Sequence, residues 1–393
     1  MSRPVFLFDV DGVLVIPAGY RQASQAAINF FTRQMGIEDQ LLDENIFALF
    51  ESNNIISEWD IVPLCLAAIL DDLQSRCADL RLPPDLSGSL AGLCDYKLPA
   101  PQVDYKNLAS NLGARFLPGQ TFADQALQYS QTTAANSPFP HLQGQPLLPV
   151  ILADTRDVFK NPVIRIFQEF VLGSQNFQKA YGLTGEVETG SFLTLYDRPA
   201  LEAGCRDELL QLWDAGRLDL AAYTIRPSLL GSEPPAKMLA YSPEAELALQ
   251  INGLEAMPIM GYGQVYRAAE LAGIRPDEIL KPSPVQALAA MAAAVFRDGL
   301  RAMSAAMDWS GRGKTAYFER LPALDIHIFE DSAGSILGVR AGAERLMSLG
   351  IPVTLNAWGV ASSPVKIAAL QAAQAEVFPD VNRAVQEALS HLS

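Results

Sequence analysis

Two aspartates stand one residue apart, directly after a short apolar run near the start of the sequence. They are Asp9 and Asp11 in the segment FDVDGVL, and Gly12 follows the second carboxylate. Burying a carboxylate at the end of a strand is costly unless a partner compensates for its charge. Two neighbouring carboxylates also repel each other, and a divalent cation with oxygen ligands would remove that repulsion. The pair therefore predicts a site for a metal ion together with a charged ligand.

Three further segments place polar residues at the ends of short apolar runs. LDLAAYT ends in Thr224, and DEILKP holds Lys281 at a strand end or a helix start. LDIHIF is followed by Glu330 and Asp331. Parallel sheets bind ligands at the carboxyl ends of their strands, so these side chains are expected at one edge of one sheet. Carboxylates, a hydroxyl and an ammonium around a hard ion such as Mg²⁺ predict a site for phosphoryl transfer.

An α/β layer fold is predicted to position these residues. From about residue 219 onward, short apolar runs alternate with segments of helical periodicity, which is typical of a parallel sheet covered by helices. The apolar stripe at 285–307 is interpreted as one helix packed in the core. At 393 residues the chain is long enough for two compact units.

The region before residue 195 has a different character. Residues 20–73 and the segment VIRIFQEFVLGSQNFQKAYG repeat apolar positions every three or four residues, which predicts helices. Residues 77–155 are rich in Pro, Gly, Ser, Asn and Gln, so we expect loops and short elements there. Leucine, tyrosine and phenylalanine recur throughout this stretch, which argues against a disordered tract.

The composition excludes several classes of function. Acidic residues number 44 and basic residues 29, and the net charge of −15 argues against binding to nucleic acid or to an anionic membrane. Neither a membrane-spanning stretch nor a signal peptide is predicted. Three histidines and four cysteines without metal-type spacing predict no zinc site. The scattered thiols predict a cytoplasmic protein, and its oligomeric state cannot be predicted.

The segments FDVDGVL, AAYT, LKPSP and FEDSAGSILGVRAG resemble, in order, the four motifs of the haloacid dehalogenase (HAD) superfamily. The likeness is to the branch with a cap domain inserted after the first motif. It implies a Rossmann-like parallel-sheet core at 1–16 and 195–393. An inserted, mainly helical cap would occupy 17–194, with an irregular part near 77–155. The implied activity is Mg²⁺-dependent hydrolysis of a small phosphorylated metabolite through an aspartyl-phosphate.

The resemblance assigns a role to each motif residue. Asp9 would be the nucleophile, and Asp11 would be the general acid and then the base. Thr224 and Lys281 would bind and neutralise the transferring phosphoryl oxygens. Gly12 would allow a tight turn, so that backbone N–H groups face the phosphate.

A metal site is also implied by the resemblance. Asp331 would bind Mg²⁺ together with Asp9 and the backbone carbonyl of Asp11. Many members of the superfamily carry another acidic residue four or five places after the aspartate of the fourth motif. This chain has a serine and an isoleucine at those places. Glu330 would then supply the missing charge as a weaker or water-mediated ligand.

Several alternatives remain open from the sequence. Arg21 and Arg226 follow the first two motifs closely enough to touch a substrate anion, although salt-bridged surface arginines are the alternative for both. A phosphomutase would share the four motifs and differ only in retaining the phosphorylated aspartate. A catalytically silent HAD-fold protein, acting as a binding or interaction module, is the alternative outside enzymes.

Overall fold

The computed structural model describes residues 2–77, 79–117, 119–132, 137–231 and 238–392. Residues 78, 118 and 133–136 of the segment predicted to be irregular lie outside the described residues. The chain divides into two compact units. The first combines Met1–Ala18 with Tyr196–Ser393 and is named the core unit; the second is Gly19–Leu195 and is named the inserted unit.

Six strands of the core unit form one parallel sheet. Strands β1 to β8 among the described residues are Arg3–Phe8, Val15–Ile16, Arg198–Pro199, Asp219–Tyr223, Ile259–Met260, Leu324–Glu330, Val353–Val360 and Glu376–Phe378. The sheet order is β5–β4–β1–β6–β7–β8, and all neighbouring pairs are parallel. β2 and β3 form a separate antiparallel ribbon. The predicted α/β fold with a Rossmann-like parallel sheet is confirmed.

Helices make up most of the remaining described chain. Helices α1 to α9 are Gly19–Gln34, Glu44–Glu51, Glu58–Gln74, Leu86–Cys94, Tyr105–Gly113, Phe122–Thr132, Leu147–Leu152, Pro162–Tyr181 and Phe192–Tyr196. Helices α10 to α17 are Ala203–Asp214, Glu244–Ile251, Tyr262–Ala272, Pro284–Phe296, Gly299–Arg312, Ala333–Ser348, Pro364–Ala372 and Val381–Ser390. No helix of the described residues combines the length and the apolar character needed to span a membrane.

Strand β1 is buried on both faces because its sequence is a continuous apolar run. Val5 and Leu7 pack with helices α12 to α16 on one side of the sheet. Phe6 and Phe8 pack with α10, α11 and α17 on the other side. β1 pairs with β4 and with β6, so the residue that follows it, Asp9, leaves the sheet between these two neighbours.

The apolar stripe at 285–307 forms two helices, and the prediction of one helix is wrong. α13 ends at Arg297, which has a left-handed φ of 54°. α14 begins after Asp298, whose side chain accepts a hydrogen bond of 3.0 Å from the backbone N–H of Arg301. Both helices bury alanine and methionine side chains in the same core, so the apolar pattern continues across the break.

The inserted unit is helical and has α3 at its centre. The segment IVPLCLAAIL of α3 is buried throughout, and α3 packs against α1, α6, α7 and α8. α8 begins at Asn161, whose side chain accepts hydrogen bonds from two backbone N–H groups of the first turn, and it is interrupted at Gly173. The described parts of residues 77–155 contain four short helices, α4 to α7, between loops.

Candidate active site

The carboxyl ends of the central strands bring three predicted site residues to one edge of the sheet. Asp9 follows β1, and its backbone N–H donates a hydrogen bond of 3.0 Å to the carbonyl of Phe329 in β6. Thr224 follows β4, while Glu330 is the last residue of β6. Because β4, β1 and β6 are neighbours in the sheet, their carboxyl ends lie side by side at one edge.

Lys281 is the buried centre of a charged cluster at this edge. Its Nζ lies 2.8 Å from Oδ1 of Asp9 and 2.7 Å from Oε1 of Glu330. It also donates to the backbone carbonyl of Tyr223 at 3.1 Å. The second oxygen of Glu330 accepts hydrogen bonds from the backbone N–H groups of Asp331 and Ser332. The lysine therefore joins the ends of three strands.

The pKa values of this cluster are shifted by burial and by mutual interaction. Burial, and then the neighbouring charge of Glu330, raise the pKa of Asp9 well above its usual value, although Lys281 opposes the rise. Burial acts to lower the pKa of Lys281, but the carboxylates of Asp9 and Glu330 outweigh it and raise that pKa. The two carboxylates thus favour the ammonium form of Lys281, whereas burial disfavours the carboxylate form of Asp9.

A group of three carboxylates has the geometry of a metal site. One ligand oxygen each from Asp9, Glu330 and Asp331 lies within 4.8 Å of the other two, the only such group found in the described residues. Carboxylate oxygens are the donors that Mg²⁺ prefers, and the three carboxylates lie close together around a single edge of the sheet. Asp331 also forms an ion pair with the ammonium of Lys366, which is 56% exposed. The donor set fits a hard divalent ion.

Gly12 allows the first motif to pass close to Asp331. Its φ of 76° lies in the left-handed region, and a Cβ there would be 2.8 Å from Oδ2 of Asp331. Both features favour glycine. The tight turn is therefore present, but the N–H of Gly12 itself donates to the carbonyl of Val15 at 2.9 Å. That N–H is committed to the turn, and the expectation that backbone N–H groups near this turn face a phosphate stays a prediction.

Asp11 lies beside the cluster and is held by an arginine. Arg226 donates to its two carboxylate oxygens, from Nε at 2.9 Å and from Nη2 at 2.6 Å. Only 2% of the Arg226 side chain is exposed. We expected this arginine to touch a substrate anion, or alternatively to form a surface salt bridge. The structure instead places it in a partly buried, bidentate ion pair with Asp11, whose side chain is 36% exposed.

Thr224 is enclosed behind the strand ends. It is fully buried, its hydroxyl accepts a hydrogen bond of 3.1 Å from the backbone N–H of Arg226, and it does not line the cavity described below. Its role with a phosphoryl oxygen stays a prediction. Gln286 donates to the carbonyls of Thr224 and Met260 and accepts from the N–H of Lys281. This amide links three loops of the site.

A cavity of about 490 Å³ opens onto the charged cluster within the core unit. Asp9, Asp11, Lys281, Asp331 and Lys366 are the charged residues that line it. Apolar and small residues complete the wall, namely Pro17, Ile225, Pro282, Gly12, Gly334, Ser332 and Ser335. The cavity therefore presents carboxylates and ammonium groups of the same site to one small space.

Arg21 lies in the inserted unit, on α1. Its guanidinium pairs with Glu44 and, at 2.7 Å, with Glu51. The side chain is 33% exposed. This arrangement is the salt bridge weighed as the alternative to a substrate contact, and the substrate contact stays a prediction.

Three residues of the site were missed by the sequence reasoning. Lys366 follows the end of β7, so the strand-end rule could have found it. Gln286 is the one polar residue in the apolar run from Val285 to Val295. A lone polar residue in such a run could have indicated a role in the site. Asp197, which contacts Arg226 at 2.9 Å, stands in a linker with no pattern that marks it.

Comparison with known proteins bears on the fold alone. No protein-family model matches the chain, and no curated protein matches it. The X-ray structure of Northeast Structural Genomics Consortium target ZR25 is 16% identical, with a TM-score of 0.61 and coverage of 100% of both chains. Phosphatase Tt82 from Thermococcus thioreducens is 14% identical, with a TM-score of 0.45, covering 98% of this chain and 99% of that one. The likeness to target ZR25 shows a shared fold.

Proposed function

We propose that this chain is a Mg²⁺-dependent phosphohydrolase of the HAD superfamily that acts on a small phosphorylated metabolite. The observation that carries the proposal is the contact of Lys281 with Asp9, at 2.8 Å, inside a group of carboxylates that could hold a cation. A nucleophilic carboxylate, an ammonium and a cation site at one strand edge are the parts that phosphoryl transfer needs.

Asp9, Asp331 and the backbone carbonyl of Asp11 would hold the Mg²⁺ ion, with Glu330 as a further contributor. The ion would supply positive charge that neutralises the phosphoryl oxygens and keeps the nucleophilic carboxylate ionised. Glu330 is fully buried and bonded to Lys281 and to two backbone N–H groups. These bonds favour a role in fixing the ammonium over direct coordination.

Asp9 would attack phosphorus through Oδ2, because Oδ1 is held by Lys281 and by the N–H of Val10 at 2.8 Å. The new bond joins Oδ2 to phosphorus, and the bond from phosphorus to the ester oxygen breaks. Asp11 in its acid form gives a proton to the departing alkoxide. Lys281 neutralises charge on the transferring group throughout.

Water would then release the phosphate. Asp11, now a carboxylate, takes a proton from water as its oxygen attacks phosphorus, and the bond from phosphorus to Asp9 breaks. This returns both aspartates to their initial states. Since Asp9 and Asp11 both line the cavity, the two side chains would face one substrate from the same space.

The experiment compares wild type with Asp9→Asn in phosphate release from 4-nitrophenyl phosphate, with Mg²⁺ and with a chelator. We expect metal-dependent release that falls at least about a thousand-fold in the variant, because the covalent route is lost. Asp219→Asn, a buried carboxylate at the opposite end of β4, is the matched control and should keep activity. Release that persists in Asp9→Asn would contradict the proposal.

A phosphomutase would be recognised in the same experiment. It would become phosphorylated on Asp9 but would release phosphate slowly, so mass spectrometry of the intact protein would detect the aspartyl-phosphate. Neither release nor phosphorylation in a folded wild type would favour a silent binding module.

A further inference from the structure

Arg226 lies between two carboxylates, and only one of them faces the cavity. Asp11 lines the cavity, and its side chain is 36% exposed. On the other side, Asp197 accepts a hydrogen bond of 2.9 Å from Nη2 of Arg226, and its side chain is fully buried. Arg226 therefore connects the buried carboxylate of Asp197 with the carboxylate of Asp11, which faces the cavity.

Asp197 is itself held in place by the backbone. Its Oδ1 accepts a hydrogen bond of 2.8 Å from the N–H of Ala18. Ala18 follows β2 and Asp197 precedes β3, and these two strands pair with each other as an antiparallel ribbon. The ribbon therefore fixes the buried carboxylate against the chain that leaves the first motif.

The hydrogen bonds of Arg226 fix its orientation. Nη2 donates to both Asp11 and Asp197, and Nε donates to the second oxygen of Asp11. A planar guanidinium that is bound to two carboxylates has little freedom to rotate, and its fork then fixes the plane of the Asp11 carboxylate.

We propose that Asp197 is a positioning residue that acts through Arg226 to orient Asp11 as the proton donor to the leaving group. This inference rests on the proposed function. Asp197 does not touch the substrate, and it acts through Asp11 both when the ester bond breaks and when water releases the phosphate; the choice of ester tests the first of these steps. Near-attack geometry is sensitive to small displacements, so a loosened Asp11 should cost activity wherever the leaving group needs a proton.

The test compares two aryl phosphate esters whose leaving groups differ in how much they depend on a donated proton. The 4-nitrophenolate ion leaves without a proton, whereas the more basic phenolate ion gains from proton donation. We measure kcat/KM of Asp197→Asn for 4-nitrophenyl phosphate and phenyl phosphate, because kcat/KM reports the step that breaks the ester bond. We expect a loss of about ten-fold or more for phenyl phosphate and of less than about three-fold for 4-nitrophenyl phosphate.

Three further variants make the result specific. Asp11→Asn should show the same selectivity with a larger loss. Arg226→Lys keeps the charge but removes the fork, and it should reproduce the selectivity if Asp197→Asn folds poorly. Asp219→Asn also breaks the pair of a buried carboxylate with an arginine, Arg3, at the far end of β4, and it should change the rates for both esters equally.

Each outcome decides between two conclusions. Equal losses for both esters in Asp197→Asn and Arg226→Lys would overturn the positioning role and leave the proposed function intact. Asp9-dependent release from neither ester in wild type would overturn the proposed function, and the positioning role with it. Selective loss in Asp197→Asn, absent from Asp219→Asn, would support the inference.

Discussion

The two ends of strands β1 and β4 carry ion pairs of very different construction. At the amino end, Arg3 of β1 pairs with Asp219 of β4, one cation with one anion. At the carboxyl end, Lys281 is buried between Asp9 and Glu330, while Asp331 lies close to both carboxylates and pairs with the exposed Lys366. The first arrangement is balanced and stabilises the join between two strands. In the second, three carboxylates outnumber two ammonium groups, and a bound cation would offset the excess.

The largest expected difference between these ends concerns Lys281. Lys281→Met should lower kcat/KM by about a thousand-fold or more, because the transferring phosphoryl group loses its buried positive charge. It should also lower the free energy of unfolding by about 3–5 kcal/mol without Mg²⁺, since two buried carboxylates lose their partner. Phosphate release and urea unfolding measure the two effects.

Arg3→Met is the matched substitution at the amino end. It should lower stability by a smaller amount, because Arg3 is 41% exposed, and it should leave phosphate release within about three-fold of wild type. Comparable losses of activity in the two variants would show that the carboxyl end has no special chemistry.

Mg²⁺ binding distinguishes the two strand ends in an experiment that does not depend on catalysis. Mg²⁺ at about 100 times its dissociation constant should stabilise wild type by about 2.7 kcal/mol, since it binds the folded state. Asp331→Asn should lose most of this stabilisation, because one of three ligands is weakened, and Asp219→Asn should keep it. The melting temperature with and without Mg²⁺ measures the effect. An equal Mg²⁺-dependent rise in Asp331→Asn would place the ion elsewhere.

Glu246 on α11 provides a third kind of buried carboxylate, in which burial dominates and the neighbouring acid Glu244 adds a smaller effect. Burial raises its pKa to about 7, although a hydrogen bond of 2.8 Å from the N–H of Leu229 opposes the rise. Its Oε2 is buried, and no partner for that atom is found among the described residues.

The raised pKa of Glu246 makes stability depend on pH. The folded state binds the proton more tightly than the unfolded state, so the stabilisation is complete below the unfolded pKa of 4.5 and is lost as the pH rises through 7. Glu246→Gln should therefore be more stable than wild type at pH 8, by about 2–3 kcal/mol, and similar to it at pH 4. Urea midpoints at the two pH values test this, and a constant difference would refute it.

Much of this comparison could be predicted from the sequence because apolar runs mark buried parallel strands. Once β1 and β6 are predicted, the residues that follow them must meet at one edge, and Asp9 and Asp331 needed no further information. The division of 285–307 into two helices could not be predicted, because both helices bury the same kinds of residue and the break lies in the backbone of Arg297.

Ion pairs between residues that lie far apart in the sequence could not be predicted in this way. Arg226 meets Asp11 across 215 positions and Asp197 across 29. No local pattern encodes which of the chain's many acids will approach a given arginine. The fold determines these partners. The Arg226 side chain is only 2% exposed, so its guanidinium needs carboxylates among the residues that surround it.

The smallest expected effect concerns Lys366, which contacts Asp331 from α16. Its ammonium competes with a cation for the same carboxylate, but at 56% exposure the ion pair is worth less than about 1 kcal/mol. Lys366→Ala should therefore lower the Mg²⁺ concentration at half-maximal stabilisation by about two- to five-fold. Lys314→Ala, which removes an exposed lysine that pairs with Asp308, is the matched control and should leave that concentration unchanged. A higher Mg²⁺ requirement in Lys366→Ala would mean that this lysine helps to hold Asp331 in position for the metal instead of competing with it.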